Sequence, residues 1–237
     1  MSAVSTLHAY LLAQVKFDDL LALQHRIHAM AREEQLAAVI LCEHPTLLTV
    51  GRAGSHRHWD FDNDTPGMPQ TPVRWVSRGG GCWLHGPGQM AIYLTASLRA
   101  MAWTVPQHLA ALENTLALTC QKVGVEQPVH CHERAIWIGT RPVGAIGAAV
   151  GDWTTSYGGI LNVNPQLEPF RRVRTGPHHP TMTSLQRESR RPLRIARVRE
   201  VLVEQLAGAF GMESVHVFTD HPLLRRKAPR DAVVAAR

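Results

Sequence analysis

At 237 residues, 45% hydrophobic and 19% charged, the chain is long enough to bury a sizeable core and too apolar to be disordered. No apolar run approaches the ~20 residues a membrane helix needs, and Met1 to Gln14 carries no basic stretch ahead of its apolar residues, so neither a membrane span nor a signal peptide is expected. Four unpatterned cysteines (Cys42, Cys82, Cys120, Cys131) argue against a disulfide scaffold and fit a reducing cytoplasm.

The net charge of +6 comes largely from arginines in the last third of the chain, with no aromatic residues interleaved for base stacking. Binding to nucleic acid is therefore not expected. A surface that meets an acidic protein or substrate fits the same charge.

Apolar residues at 3–4 spacing from Phe17 to Leu36, with Asp18 and Asp19 in the first turn, predict an amphipathic helix. Ala37 to Cys42 and Thr46 to Val50 read as short strands around Glu43-His44-Pro45. Ser55 to Gln70, rich in Asp, Pro and His, reads as a surface loop or lid. Pro106 starts a second helix that runs to about Val123. Three strands follow over Val129 to Thr140, Val143 to Val150 and Trp153 to Val163. A helix over Leu193 to Phe210 and a strand over Glu213 to Thr219 complete the pattern. Strands grouped between helices predict an α+β fold, a mixed β-sheet with packed helices, in one domain over 1–220; the basic tail 221–237 is expected to fray.

The stretch with the most chemistry in it is Arg78-Gly79-Gly80-Gly81-Cys82-Trp83-Leu84-His85-Gly86-Pro87-Gly88-Gln89, between two strand-like runs. Glycine lets backbone approach a ligand closely. No Gly-Lys-Ser/Thr and no helix follows, so a pyrophosphate is not what this loop should hold. The other reading is a plain glycine-rich hairpin connection. His130-Cys131-His132-Glu133 lacks a second ligand pair at structural-zinc spacing, and no metal or cofactor is expected.

Four separated blocks resemble one family. They are Glu43-His44-Pro45 with Thr49-Val50-Gly51-Arg52; Arg78-Gly79-Gly80 with His85-Gly86-Pro87-Gly88-Gln89 and Tyr93; Gly144-Ala145-Ile146-Gly147; and Tyr157-Gly158-Gly159-Ile160-Leu161-Asn162-Val163-Asn164 with Leu167 to Phe170. Thr183-Ser184-Leu185 adds a fifth, shorter piece. In order and spacing the set resembles the lipoyl(octanoyl) transferases. The resemblance implies the fold of biotin and lipoate protein ligases. It also implies movement of an octanoyl group from acyl carrier protein to a lysine of a lipoyl domain, in 2-oxoacid dehydrogenase or glycine cleavage proteins. The Arg187 to Arg199 run is then a candidate dock for the acidic carrier protein, and the chain is expected to act as a monomer.

The same resemblance implies a substrate pocket from Arg78, Gly79, Gly80, Gly81, Cys82, Trp83, Leu84, His85, Ala145, Ile146, Gly147, Gly158, Gly159 and Ile160, with His44 and Tyr93. The family uses a cysteine nucleophile and a lysine that lowers its pKa. Here the lysine position is Pro142 and the cysteine position falls on Thr175 or is deleted, while the family histidine has become Tyr157. Arg141 is adjacent to Pro142, but on a strand it points to the other face. Cys82 is a candidate stand-in nucleophile, its other reading being a small buried residue. Two alternatives to transfer remain open: a non-catalytic paralogue that binds acyl chain, carrier protein or lipoyl domain, and an ATP-dependent lipoate or biotin ligase. The second is weakened by the absence of any lysine between Lys16 and Lys122 or between Lys122 and Lys227.

Overall fold

The computed structural model describes residues 5–34, 36–59, 70–173 and 180–224. The chain opens on a strand the sequence reading did not mark, β1 (Thr6–Gln14), then runs through α1 (Phe17–Glu34) to β2 (Ala37–Glu43), which lies parallel to β1. The buried face of α1 is Phe17, Leu20, Leu23, Ile27 and Ala31, the spacing of an apolar helix stripe. After β3 (Leu47–Val50), β4 (Val73–Trp75) and β5 (Cys82–His85) come β6 (Gln89–Thr95) and α2 (Val105–Lys122). The start of α2 is closed reciprocally: Gln107 N–H donates to Thr104 Oγ1 at 3.4 Å and Thr104 N–H donates to Gln107 Oε1 at 2.8 Å.

The stretch expected as one strand over Val129 to Thr140 is instead a hairpin, β7 (Val129–His132) and β8 (Ala135–Ile138). Its turn is Glu133-Arg134, both left-handed at φ 49° and 62°, which twists in the sense a tight hairpin needs. Then follow β9 (Arg141–Gly151), β10 (Thr154–Asn162), a short α3 (Leu185–Ser189) that the sequence reading missed, α4 (Ile195–Ala209) and β11 (Ser214–Phe218). Strand β9 starts one residue before Pro142, where the expected break lay. The pairing with β8 shifts register between Ile136 and Trp137, so the missing N–H of Pro142 falls at an irregularity.

Eight strands form one mixed sheet in the order β11-β1-β2-β6-β10-β9-β8-β7, and β4-β3-β5 form a smaller one. The centre of the large sheet is buried on both faces, so its strands read as continuous apolar runs. Ala37, Val39 and Leu41 with Met90, Ile92 and Leu94 face α2 and α4; Ala38, Ile40 and Cys42 with Ala91 and Tyr93 face α1. The small sheet packs Leu48, Val50, Cys82 and Leu84 against Phe170, Val173 and Met182. This places the glycine loop where the two sheets meet.

Candidate functional site

The loop from Arg78 to Gly81 is built around the Arg78 side chain, which is 1% exposed. Its Nη1 donates to the carbonyls of Gly79 and Gly81 at 3.0 Å each, and its Nη2 donates to Thr49 O at 3.1 Å and Thr49 Oγ1 at 2.8 Å. The guanidinium lies 3.4 Å over the Trp83 ring. Burial lowers its pKa to about 9, so it stays protonated at neutral pH. Arg78 therefore does not line the pocket; it holds the loop's backbone from beneath.

His44, His85 and Tyr93 are likewise beneath the pocket and not in its wall. His44 Nδ1–H donates to Val15 O at 2.7 Å, which leaves Nε2 to accept from Tyr93 O–H at 2.8 Å. Burial lowers the His44 pKa to about 4. Burial also takes His85 well below the usual imidazole value, helped by nearby His44 and Arg78, and pushes Tyr93 well above the usual phenol value. All three are neutral at pH 7.

His85 belongs to a buried polar layer made of two hydrogen-bonded groups, one around Arg78, Thr49 and His85 and one from Gln89 to Arg141. Thr49 Oγ1, already accepting from Arg78, lies 3.0 Å from His85 Nε2. Gln89 Nε2 donates to Leu84 O and to Asn162 Oδ1 at 2.9 Å each, while Gln89 Oε1 and His85 Nδ1 are buried without a hydrogen-bond partner among the described residues. Asn162 Nδ2 donates to Thr183 O at 3.1 Å, and Thr183 Oγ1–H donates to Glu188. Glu188 accepts a two-pronged pair from Arg141, at 2.9 and 2.7 Å. Burial alone would raise the Glu188 carboxyl, but the Arg141 and Thr183 hydrogen bonds outweigh it and hold the group below the usual carboxylate value. Arg141 is thus turned away from the pocket, as strand alternation predicts. Glu188→Gln is expected to destabilise by about 1–2 kcal/mol in a urea titration, the half-exposed Arg141 limiting the loss.

Above this layer lies a cavity of about 590 Å³. Of the expected site residues, Gly80, Gly81, Cys82, Trp83, Leu84, Pro142, Ala145, Ile146 and Ile160 line it. Gly79, Gly147, Gly158 and Gly159 stand behind the wall. A Cβ on Gly147 would lie 2.4 Å from Gly79 O, so the bare backbone of β9 is what lets the loop sit down. Phe170, Val173, Met182, Trp137 and Gly144 add to the apolar lining, and Arg57, His58, Glu133 and Arg134 add polar groups. The sequence reading assigned none of these nine to the pocket. Gly144 and Phe170 stand in the motif blocks without a pocket role, and no local signal marks the others.

Pro142 presents a ring and no charge to the cavity. The Cys82 thiol donates to Ser55 O at 3.8 Å, and burial raises its pKa above the ordinary thiol value, against the Ser55 hydrogen bond and the Arg78 charge. Tyr157 lies on the α1 side with Tyr93. Thr175 and the tail from 225 onward lie outside the described residues. Of His130-Cys131-His132-Glu133, His130 stacks on Trp137, and the Cys131 thiol donates to Glu113 O. No group of three or more His, Cys, Asp or Glu among the described residues is arranged to hold a metal.

Solved structures share this fold. The structure of a lipoate-protein ligase A bound with ATP superimposes with a TM-score of 0.70 at 13% identity, covering 91% of this chain and 90% of that one. This likeness shows the fold, a mixed sheet with packed helices, to be that of the lipoate and biotin protein ligases. The octanoyltransferase of Acidothermus cellulolyticus is 33% identical over 199 residues, covering 81% of this chain and 86% of the relative. The octanoyltransferase of Myxococcus xanthus is 29% identical over 221 residues, 90% of this chain but 62% of the relative's length. The lipoyl protein ligase A/B catalytic domain model matches residues 17–207, a span that takes in the glycine loop, the cavity strands and the polar layer beneath them. The chain belongs to that family.

Proposed function

We propose that the protein takes an octanoyl group from acyl carrier protein and delivers it to a lysine of a lipoyl domain, in protein lipoylation. The observation that carries this reading is the apolar cavity of about 590 Å³ between the glycine loop and strands β8 to β10. A cavity of that size and lining suits an aliphatic chain, which it shields from water. In the transfer the thioester C–S bond breaks, a C–N bond to the lysine forms, and the amine proton leaves with the carrier thiol. The reading takes the chain as a monomer acting in the cytoplasm.

A second reading is favoured by two local facts. Pro142, which the resemblance puts at the family's lysine position, lines the cavity with no charge, and burial pushes the Cys82 thiol above the ordinary thiol value. On that reading the fold is kept to bind an acyl chain, carrier protein or lipoyl domain without turnover.

Both readings need the cavity to hold the chain, and Gly81 offers a direct test. It lines the cavity, its φ is not left-handed, and an added Cβ would meet nothing within 4 Å. Gly81→Leu should therefore fold normally and fill the space. Titrating octanoate while following tryptophan fluorescence, with Trp83 and Trp137 in the wall as reporters, should show at least a tenfold weaker Kd for the variant. Equal affinity in a folded Gly81→Leu would place the chain elsewhere.

A further inference from the structure

The cavity is larger than an octanoyl group needs. A methylene takes up about as much room as a water molecule does in the liquid, so eight carbons and a carbonyl oxygen fill roughly 270 Å³. The cavity measures about 590 Å³, so an octanoyl group alone would leave about half of it unfilled. A gap beside the ligand is unfavourable, because the atoms that line it lose their dispersion partners. The unfilled half has room for roughly ten more carbons, and fewer once the thioester sulfur and a bent chain are allowed for.

The room comes from small residues on the strands. Ala135 of β8 and Ala145 of β9 are paired directly, so their methyls share one face of the sheet; both are half-buried and both line the cavity. Gly144 beside them has no space for a side chain of its own, since a Cβ there would lie 2.5 Å from Ile160 O. Pro142, at the family's lysine position, adds a ring to the wall and no long side chain. The charged and ring-nitrogen side chains of the wall come from two short segments, Arg57-His58 and Glu133-Arg134. Amides of a carrier arm would find few side-chain partners elsewhere in this wall, whereas methylenes need none.

We propose that the cavity takes acyl chains of about twelve to sixteen carbons, with octanoyl at the short end of its range. The proposal rests on the acyl-cavity reading and extends its substrate class. Each methylene moved from water into apolar space strengthens binding roughly fourfold, so affinity rises with chain length until the cavity is full. Ala135 and Ala145 set that limit. A larger side chain at either position would take the volume that the extra methylenes need, which makes the pair the determinant of chain length.

The test titrates octanoate, dodecanoate and tetradecanoate, each below its micelle concentration, on the full chain by tryptophan fluorescence, with folding checked by circular dichroism. Dodecanoate and tetradecanoate should each bind at least tenfold tighter than octanoate. Ala145→Leu puts three more carbons into the wall, and the preference for tetradecanoate over octanoate should fall at least fivefold. Ala135→Leu, at the facing position, carries the same expectation and decides the matter if Ala145→Leu fails to fold; if neither folds, the wild-type series decides alone. Equal or weaker binding of the longer chains by the wild type would overturn the proposal and leave the octanoyl reading standing. A preference kept unchanged in a folded variant would overturn it as well, since the longer chains would then lie outside the cavity. Binding of no chain, octanoate included, would overturn the acyl-cavity reading and the proposal with it.

Discussion

Lowering the pH from 7 to 4 should remove on the order of 6 kcal/mol of stability through His44 and His108 alone. Each has a pKa of about 4 in the fold, chiefly because burial disfavours the charged ring. In the unfolded chain each returns to about 6.5, so the unfolded state binds the proton first. The contribution is complete above pH 6.5 and is lost as the pH falls from there to about 4, at about 3 kcal/mol per histidine. His85, also held well below the usual value, adds to the loss in the same direction. Against a typical total of about 5–15 kcal/mol, this predicts acid unfolding before the carboxylates titrate fully. Guanidinium midpoints at pH 7, 6, 5 and 4 would measure it, and a flat profile would refute it.

One of the two can be separated from the site. His108 sits on α2 against the Phe210 ring, fully buried, with neither ring nitrogen hydrogen-bonded. His108→Leu should raise stability at pH 7 by about 1–3 kcal/mol, since an unmet buried polar group disappears, and should flatten the acid loss by about half. The cavity should be untouched.

The second large effect is expected at Gly147. A methyl there would lie 2.4 Å from Gly79 O and 3.1 Å from the Trp83 ring. Backbone cannot yield as a flexible side chain would, and Gly79 O is one of the oxygens Arg78 holds. Gly147→Ala should therefore cost about 3 kcal/mol and displace the loop, so octanoate affinity falls even where the variant remains folded. Gly81→Leu, in the same loop but facing open space, should lose affinity with no loss of stability. Measuring melting temperature and Kd together on both variants separates loop seating from cavity filling.

Much of the fold was legible because periodicity reports burial. The stripe from Phe17 to Ala31 predicted α1, and strand alternation correctly turned Arg141 away from Pro142. The hairpin at Glu133-Arg134 was missed because neither residue is a usual left-handed one and no glycine marks the turn. The family motif borders the cavity but does not show which of its residues are buried beneath it. Arg78, His44, His85 and Tyr93 look like pocket chemistry in sequence, yet they are the buried polar frame on which the pocket rests. The wall itself draws on Trp137, Phe170, Val173 and Met182, ordinary apolar residues brought in from distant segments by the meeting of two sheets.

The most direct test of octanoyl transfer is intact-mass spectrometry of a lipoyl domain incubated with octanoyl-acyl carrier protein and this chain. The domain should gain one octanoyl group on its lysine, in amounts that grow with time and require the chain. An unmodified lipoyl domain, with octanoate still bound tightly by the same preparation, would contradict transfer and leave a fold that only holds the acyl group.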